Sequence, residues 1–97
     1  MYHLVIFYDI ADNKCRNKVV KVLESYGVRI QKSVFELEIE LKQYVALKIK
    51  LKTLIDCYKN EVEITIVEIG ANSKVINLND ENKKSKEKLK LYDSVIL

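Results

Sequence analysis

The sequence predicts an α+β fold in the order β-α-β-β-α-β, followed by a C-terminal β tail. Three observations predict it: the first strand is almost wholly apolar, two later segments carry apolar residues at helical spacing, and two more alternate apolar with polar residues. The 97 residues suffice for one domain with a modest core, and the sequence shows no internal repeat. This order of elements is the ferredoxin-like, or split βαβ, arrangement.

The predicted first strand, Tyr2 to Asp9, ends in a carboxylate. The segment His3–Tyr8 is so apolar that both faces of the strand are expected to be covered. A carboxylate at the rim of such a sheet is costly unless it is hydrogen-bonded, paired or bound to a metal ion. Asp9 is therefore the first candidate for chemistry, and the alternative is a structural role as a cap of the strand or of the following turn. His3 lies roughly 20 Å from Asp9 along the strand, so the two cannot form an acid–base pair within one chain.

The first helix is expected directly after a short turn. Asp12 is a typical N-cap residue, and Gly27 is expected to end the helix in a backbone conformation with positive φ. Between them lies a stripe with the spacing of an amphipathic helix, formed by Cys15, Val19, Val22, Leu23 and Tyr26.

Two strands and a second helix follow. The second strand is predicted at Val28 to Ile30 and the third at Ser33 to Ile39, with Phe35 on the apolar face of the third. The second helix is expected to end near residues 58–60. Its apolar residues at helical spacing are Tyr44, Leu47, Leu51 and Leu54.

The last predicted strand of the core runs from Val62 to Ile69. Residues 1–70 are therefore interpreted as the ferredoxin-like core. Residues 71–97 are interpreted as a lysine-rich linker and a C-terminal strand, Val95 to Leu97, that pairs with a partner subunit.

The first strand is apolar on both of its faces, which two helices cannot cover together. Val5 and Phe7 share a face with Asp9, and Tyr2, Leu4, Ile6 and Tyr8 form the opposite face. Packing of the sheet against a second copy is the simplest solution, so a homodimer is expected. If the face that carries Asp9 is the dimer contact, a two-fold axis could bring two Asp9 carboxylates together, and such a pair can hold Mg²⁺, which promotes the attack of water on a phosphodiester.

The composition is that of an ordinary globular domain. No stretch approaches the roughly 20 apolar residues of a membrane span, so no membrane association is expected and the chain is expected in the cytoplasm. Cys15 and Cys57 have no metal-binding spacing and are interpreted as reduced structural thiols. The net charge of +3 permits contact with nucleic acid without requiring it.

Two arginines stand out among many lysines. Arg16 and Arg29 offer the bidentate phosphate recognition that lysine lacks, and Lys18 follows Arg16 by two residues. These residues are candidates for contact with a nucleic-acid backbone, and a solvated basic helix face is the alternative. Phe35 is interpreted either as a core residue or as part of the same nucleic-acid surface.

Two segments resemble a known family. They are Leu4–Ile10, which contains the Tyr-Asp strand end, and Tyr26–Glu36, which contains a Gln-x-Ser-Val-Phe-Glu sequence. Together they resemble the small CRISPR-associated adaptation nuclease family, the "Cas-two" family. The resemblance runs from the start of the chain to about Glu36 and continues more weakly through the second helix and the last core strand.

The resemblance implies a ferredoxin-like homodimer with a divalent-metal ligand at Asp9 in each chain. It implies metal-dependent endonuclease activity on RNA or double-stranded DNA, with Mg²⁺ or another divalent cation as cofactor. It also implies a structural role in spacer acquisition, in which the dimer bridges integrase subunits and holds DNA. By the same resemblance, Arg16, Lys18, Arg29 and Phe35 are nucleic-acid-binding positions, and Lys18 stands where arginine is common in the family.

Other functions remain open at this point. One alternative is a DNA-binding scaffold without catalysis, which needs the basic residues but not Asp9. A second is a toxin-type ribonuclease of the same fold. A regulatory domain for a small molecule is the last alternative, and the sequence offers no glycine-rich loop for such a ligand.

Overall fold

Five strands and two helices make up the computed structural model, which describes residues 1–59 and 62–79. Along the chain they are β1 (Tyr2–Ile10), α1 (Asn13–Glu24), β2 (Gly27–Gln31), β3 (Val34–Ile39), α2 (Leu41–Tyr58), β4 (Val62–Ile69) and β5 (Lys74–Asn77). The strands form one sheet in the order β2-β3-β1-β4-β5, and every neighbouring pair is antiparallel. The predicted α+β ferredoxin-like fold is confirmed, with β5 as an additional edge strand.

The core lies between one face of the sheet and the two helices. On β1 the residues that face the helices alternate with those that do not, and β3 shows the same alternation. The predicted apolar stripe of α1 is buried at Cys15, Val19 and Leu23, whereas Val22 and Tyr26 are only partly buried. From α2 the buried residues are Tyr44, Leu47, Leu51 and Ile55, while the predicted Leu54 is partly buried.

The opposite face of the sheet, here called the helix-free face, carries Asp9 together with Val5 and Phe7 of β1. The strand register places Val28 of β2 and Ile69 of β4 on the same face. The side chains of Phe7, Val28 and Ile69 are 44%, 68% and 44% exposed. Isolated exposed apolar residues are ordinary, but three on one face form a surface that could pack against another molecule.

The helix α1 begins directly after Asp12, the residue predicted as its N-cap. The carboxylate of Asp12 accepts a hydrogen bond from the backbone N–H of Cys15 at 2.9 Å, which satisfies one of the free N–H groups of the first turn. The helix ends at Glu24, where the Ser25 hydroxyl donates to the carbonyl of Val22 at 2.8 Å. Asp12 thus fixes the direction in which the chain leaves β1.

Replacement of Asp12 with alanine is expected to lower the free energy of unfolding by about 1 kcal/mol, because the backbone N–H group of Cys15, in the first turn of α1, loses its acceptor. Urea unfolding followed by circular dichroism would measure the change. Asp56→Ala, at an exposed position late in α2, is the matched control and should change stability by less than about 0.5 kcal/mol. Equal effects of the two substitutions would contradict the capping role.

The prediction that Gly27 ends α1 with positive φ is wrong. No glycine has positive φ among the described residues, α1 ends before Gly27, and Gly27 is the first residue of β2. A Cβ atom at this position would lie 2.4 Å from the carbonyl oxygen of Glu36 and 2.6 Å from Cγ of Leu37. Glycine is required here because β2 and β3 approach closely, not because the helix needs a left-handed end.

The strand β5 was not predicted. Its residues fall in the segment that the sequence analysis interpreted as a linker, and they pair with β4 through Val67 opposite Val75 and Ile66 opposite Ile76. The N–H of Leu78 donates to the carbonyl of Ile64 at 3.0 Å and continues this pairing. The predicted C-terminal strand at residues 95–97 lies outside the described residues, and the division of the chain at residue 70 stays a prediction.

Candidate nucleic-acid and metal site

A cavity of about 460 Å³ opens beside the end of β1. It is called the Asp9 cavity below. Its polar and charged lining comes from three parts of the chain: the strand end, the first turns of α1, and the hairpin between β2 and β3. The residues with functional side chains are Tyr8, Asp9, Arg16, Arg29 and Lys32.

Asp9 is exposed at the rim of this cavity. Its carboxylate forms no hydrogen bond or ion pair with residues 1–59 or 62–79, so the alternative role as a cap of the strand or turn is not supported, and Asp12 caps the helix instead. The expectation that Asp9 sits at a costly buried rim is wrong, because the side chain is in contact with solvent. Glu63 lies directly opposite Asp9 on β4, which places two carboxylates on neighbouring strands of the helix-free face.

Arg29 is held in place by two aromatic side chains. Its Nη2 atom donates to the hydroxyl of Tyr8 at 3.4 Å, and its guanidinium carbon lies 5.5 Å from the ring centroid of Phe35. The Tyr8 hydroxyl in turn donates to the carbonyl of Lys32 at 3.0 Å. Tyr8 therefore joins β1 to the β2–β3 hairpin, and the other N–H groups of Arg29 remain available to a ligand oxygen.

Arg16 is anchored at the other side of the cavity. Its Nη1 atom donates to the carbonyl of Ile10 at 3.0 Å, and its Nη2 atom donates to the side-chain oxygen of Asn13. The guanidinium group is thus fixed against the end of β1. Arg16 and Arg29 thus contribute two positively charged groups to the cavity that Asp9 also lines.

The other two predicted nucleic-acid residues lie elsewhere. Phe35 is fully buried, so its ring cannot stack on a base in this conformation, and it supports Arg29 from the core instead. Lys18 does not line the Asp9 cavity. Its Nζ atom donates to the hydroxyl of Tyr58 at 3.2 Å and lies 5.6 Å from the ring centroid, and this hydrogen bond raises the pKa of Lys18 above its usual value.

Two side chains of the cavity were not predicted from the sequence. Tyr8 and Lys32 line the cavity, and the Tyr-Asp strand end was the available signal for Tyr8. His3 does not line the cavity, and its Nε2 atom lies 2.5 Å from Oε2 of Glu36 on β3. That contact depends on the register in which β1 pairs with β3, which the alternation of residues does not determine.

The chemistry of Asp9 fits a hard divalent cation. Both carboxylate oxygens lack hydrogen bonds to the described residues, and Mg²⁺ typically uses one or two carboxylates while it keeps several waters. Within residues 1–59 and 62–79, no three histidine, cysteine, aspartate or glutamate side chains converge on one point. A site built on Asp9 therefore needs further ligands from water, from the substrate or from another chain.

Comparisons with known proteins agree with this fold. Residues 1–75 match the model of the family CRISPR associated protein Cas2. The CRISPR-associated endoribonuclease Cas2 3 of Chloroflexus aurantiacus is 46% identical over 52 residues, which cover 54% of this chain and 56% of that protein. The matched segment thus spans little more than half of this relative's length.

Two solved structures share the fold. Cas2 of Streptococcus pyogenes is 28% identical with a TM-score of 0.62, over 72% of this chain and 88% of that one. A chain of a partial Cas6-RT-Cas1–Cas2 complex is 30% identical with a TM-score of 0.58, over 90% of this chain and 86% of that one.

Neither helix in the described part of this chain is long and apolar enough to cross a membrane.

The fold and the Asp9 cavity define a small α+β protein with a carboxylate and two arginines at the end of its central strand. With the match over residues 1–75, the chain belongs to the CRISPR-associated protein Cas2 family.

Proposed function

We propose that this protein is a metal-dependent endonuclease of CRISPR spacer acquisition that cleaves phosphodiester bonds of RNA or double-stranded DNA in the cytoplasm. The observation that carries the proposal is the cavity at the end of β1, which is lined by the exposed residue Asp9 together with Arg16 and Arg29. A phosphodiester is an anion, so its binding requires cationic groups. A further positive charge, such as a divalent cation, is needed before the phosphodiester can approach the carboxylate of Asp9. The name of the C. aurantiacus relative, an endoribonuclease, supports the same class of reaction.

Each side chain of the cavity has a separate part in this function. Arg29, held by Tyr8 and Phe35, binds a phosphate oxygen, and Arg16 binds a neighbouring phosphate or the same one from the other side. Asp9 holds Mg²⁺ or another divalent cation. The bound cation would lower the pKa of a water and offset the charge that develops on the phosphate.

The proposed functional unit is a homodimer formed through the helix-free face. That face carries Phe7, Val28 and Ile69, and it also carries Asp9. Packing of two such faces would bury the exposed apolar side chains and could bring one Asp9 from each chain to a shared metal ion. A bridging role between integrase subunits is part of the same proposal, and the partial Cas6-RT-Cas1–Cas2 complex supports it.

The test is cleavage of single-stranded RNA and double-stranded DNA by wild-type protein and by Asp9→Asn, with Mg²⁺ and with a chelator. Loss of a metal ligand is expected to exceed the roughly 10–100-fold cost of losing an outer-shell partner, so cleavage by Asp9→Asn should fall at least about 100-fold. Glu38→Gln is the matched control because Glu38 is an exposed carboxylate at the opposite end of the same face. Cleavage that survives in Asp9→Asn or in the chelator would overturn the proposal.

A second candidate function is a DNA-binding scaffold without catalysis. Its support is that Arg16, Arg29 and Lys32 can bind phosphate without any contribution from Asp9. Under this function neither protein would cleave, and wild type and Asp9→Asn would bind duplex DNA equally. The family match favours both of these functions over a toxin-type ribonuclease.

A further inference from the structure

A second concave surface lies between the two helices, on the side of the molecule away from the sheet. It has a volume of about 470 Å³ and is called the helix groove below. Its floor is apolar, with Val22 of α1 and with Ile49 and Leu54 of α2. No lining residue is shared with the Asp9 cavity, so the groove is a separate feature.

The floor continues along α2 as an exposed apolar stripe. Leu41, Val45 and Ile49 follow one another at intervals of four residues and are 57%, 51% and 61% exposed. A helix on the surface of a domain normally presents polar residues to water and apolar residues only to the core. Since α2 is apolar on its outer side as well, this side is typical of a surface that another molecule covers.

The rim of the groove is positively charged. Lys18 and Lys21 of α1 and Lys50 of α2 line it, and the two helices together carry eight lysines and arginines against two carboxylates. Nζ of Lys50 donates to the hydroxyl of Tyr26 at 2.9 Å, as Lys18 does to Tyr58. In the part of the chain that the structure describes, none of the three rim ammonium groups forms an ion pair with a carboxylate.

We propose that the helix groove binds an acidic amphipathic helix of another protein. Apolar side chains of that helix would cover Ile49 and Leu54, and its carboxylates would pair with the rim lysines. The α2 helix has 18 residues and is about 27 Å long, so it can seat a partner helix of several turns.

Two other occupants fit the groove less well. A nucleic-acid backbone would pair with the lysines, but its phosphates would leave Ile49 and the apolar stripe in water. A second copy of this chain would bring two lysine rims together, and like charges at an interface are unfavourable. An acidic helix satisfies both the apolar floor and the charged rim.

The test uses a fluorescein-labelled synthetic peptide of 18 residues, with leucine along one helical face and glutamate on the others. A scrambled peptide of the same composition is the control for charge alone. Fluorescence anisotropy should show binding of the amphipathic peptide to the full chain at least about tenfold tighter than binding of the scrambled one. Equal affinity for the two peptides would overturn the proposal, because it would mean that only charge is recognised.

Ile49→Asp locates the binding surface. It should weaken binding of the peptide about tenfold or more, because it removes a large apolar contact and adds a negative charge that repels the glutamates of the peptide. Ile30→Asp is the matched control, since Ile30 is also exposed and apolar but lies on β2 and does not line the groove, and it should bind as wild type does. Thermal unfolding of both variants would confirm that each is folded, as expected for substitutions at exposed positions.

Two results distinguish this inference from the nuclease proposal and from nucleic-acid binding at the groove. Asp9→Asn should bind the peptide like wild type, so a failure of the nuclease proposal leaves this test intact. Displacement of the peptide by duplex DNA from wild type, together with loss of DNA binding in Ile49→Asp, would identify the groove as a nucleic-acid surface and overturn the proposal. Unchanged peptide binding in Ile49→Asp would also overturn it.

Discussion

Replacing Gly27 with alanine is expected to lower the free energy of unfolding by about 1–3 kcal/mol, the usual cost of forcing extra volume into a packed site. The added Cβ would meet the carbonyl oxygen of Glu36 at 2.4 Å, and backbone cannot move aside as a flexible side chain can. Either β2 shifts away from β3 or the hairpin distorts. Chemical unfolding of the wild type and of Gly27→Ala would measure the loss.

Gly70 provides a control within the same chain. A Cβ at Gly70 meets nothing within 4 Å, and its φ is not positive. Alanine at this position is therefore expected to leave the stability unchanged or to raise it by about 0.4–1 kcal/mol through a less flexible unfolded chain. A similar loss of stability in Gly27→Ala and Gly70→Ala would show that the close approach of β2 and β3 is not the cause.

Truncation of Phe35 to alanine is expected to have the largest effect on stability, a loss of about 3–5 kcal/mol. The ring is fully buried and packs beside Tyr8, with ring centroids 6.2 Å apart. Because small domains are typically stable by about 5–15 kcal/mol, the variant should unfold at much lower denaturant concentration. Urea unfolding would measure this change.

Phe35→Leu distinguishes the packing of Phe35 in the core from its contact with the guanidinium group of Arg29. It keeps an apolar side chain in the core but removes the ring on which the guanidinium group lies. Affinity for duplex DNA should fall in Phe35→Leu when it is measured well below the unfolding temperature. Leu47→Ala is the control, because Leu47 is equally buried but lies on α2, away from the ring that supports Arg29. If both variants retain full DNA affinity, Phe35 acts only as a core residue.

The parts of the fold that were predicted correctly depend on local patterns. The strand from Val62 to Ile69 and the cap at Asp12 were recognisable because alternation and capping require only a few neighbouring residues. The location of Arg16 near the end of β1 followed from the short turn before α1. Asp9 and Arg16 could be predicted as neighbours in the candidate site for the same reason, since they are close along the chain.

The features that were missed depend on contacts between distant segments. The role of Gly27 follows from how closely β3 approaches, and the pairing of His3 with Glu36 follows from strand register. The strand β5 was missed because its four residues are too few for a pattern and gain their stability from β4. The burial of Phe35 under Arg29 likewise becomes visible only when β2 and β3 are paired.

The position of β1 in the sheet has a consequence for synthesis on the ribosome. This strand is made before the other described strands, yet it lies between β3 and β4, so one of its edges has no backbone partner until β4 has emerged. A nascent chain that stalls before β4 exposes a long apolar strand edge, which is the kind of surface that promotes aggregation. Arrival of β4 closes that edge and brings Glu63 opposite Asp9, so protection of the chain and completion of the Asp9 neighbourhood occur in the same step.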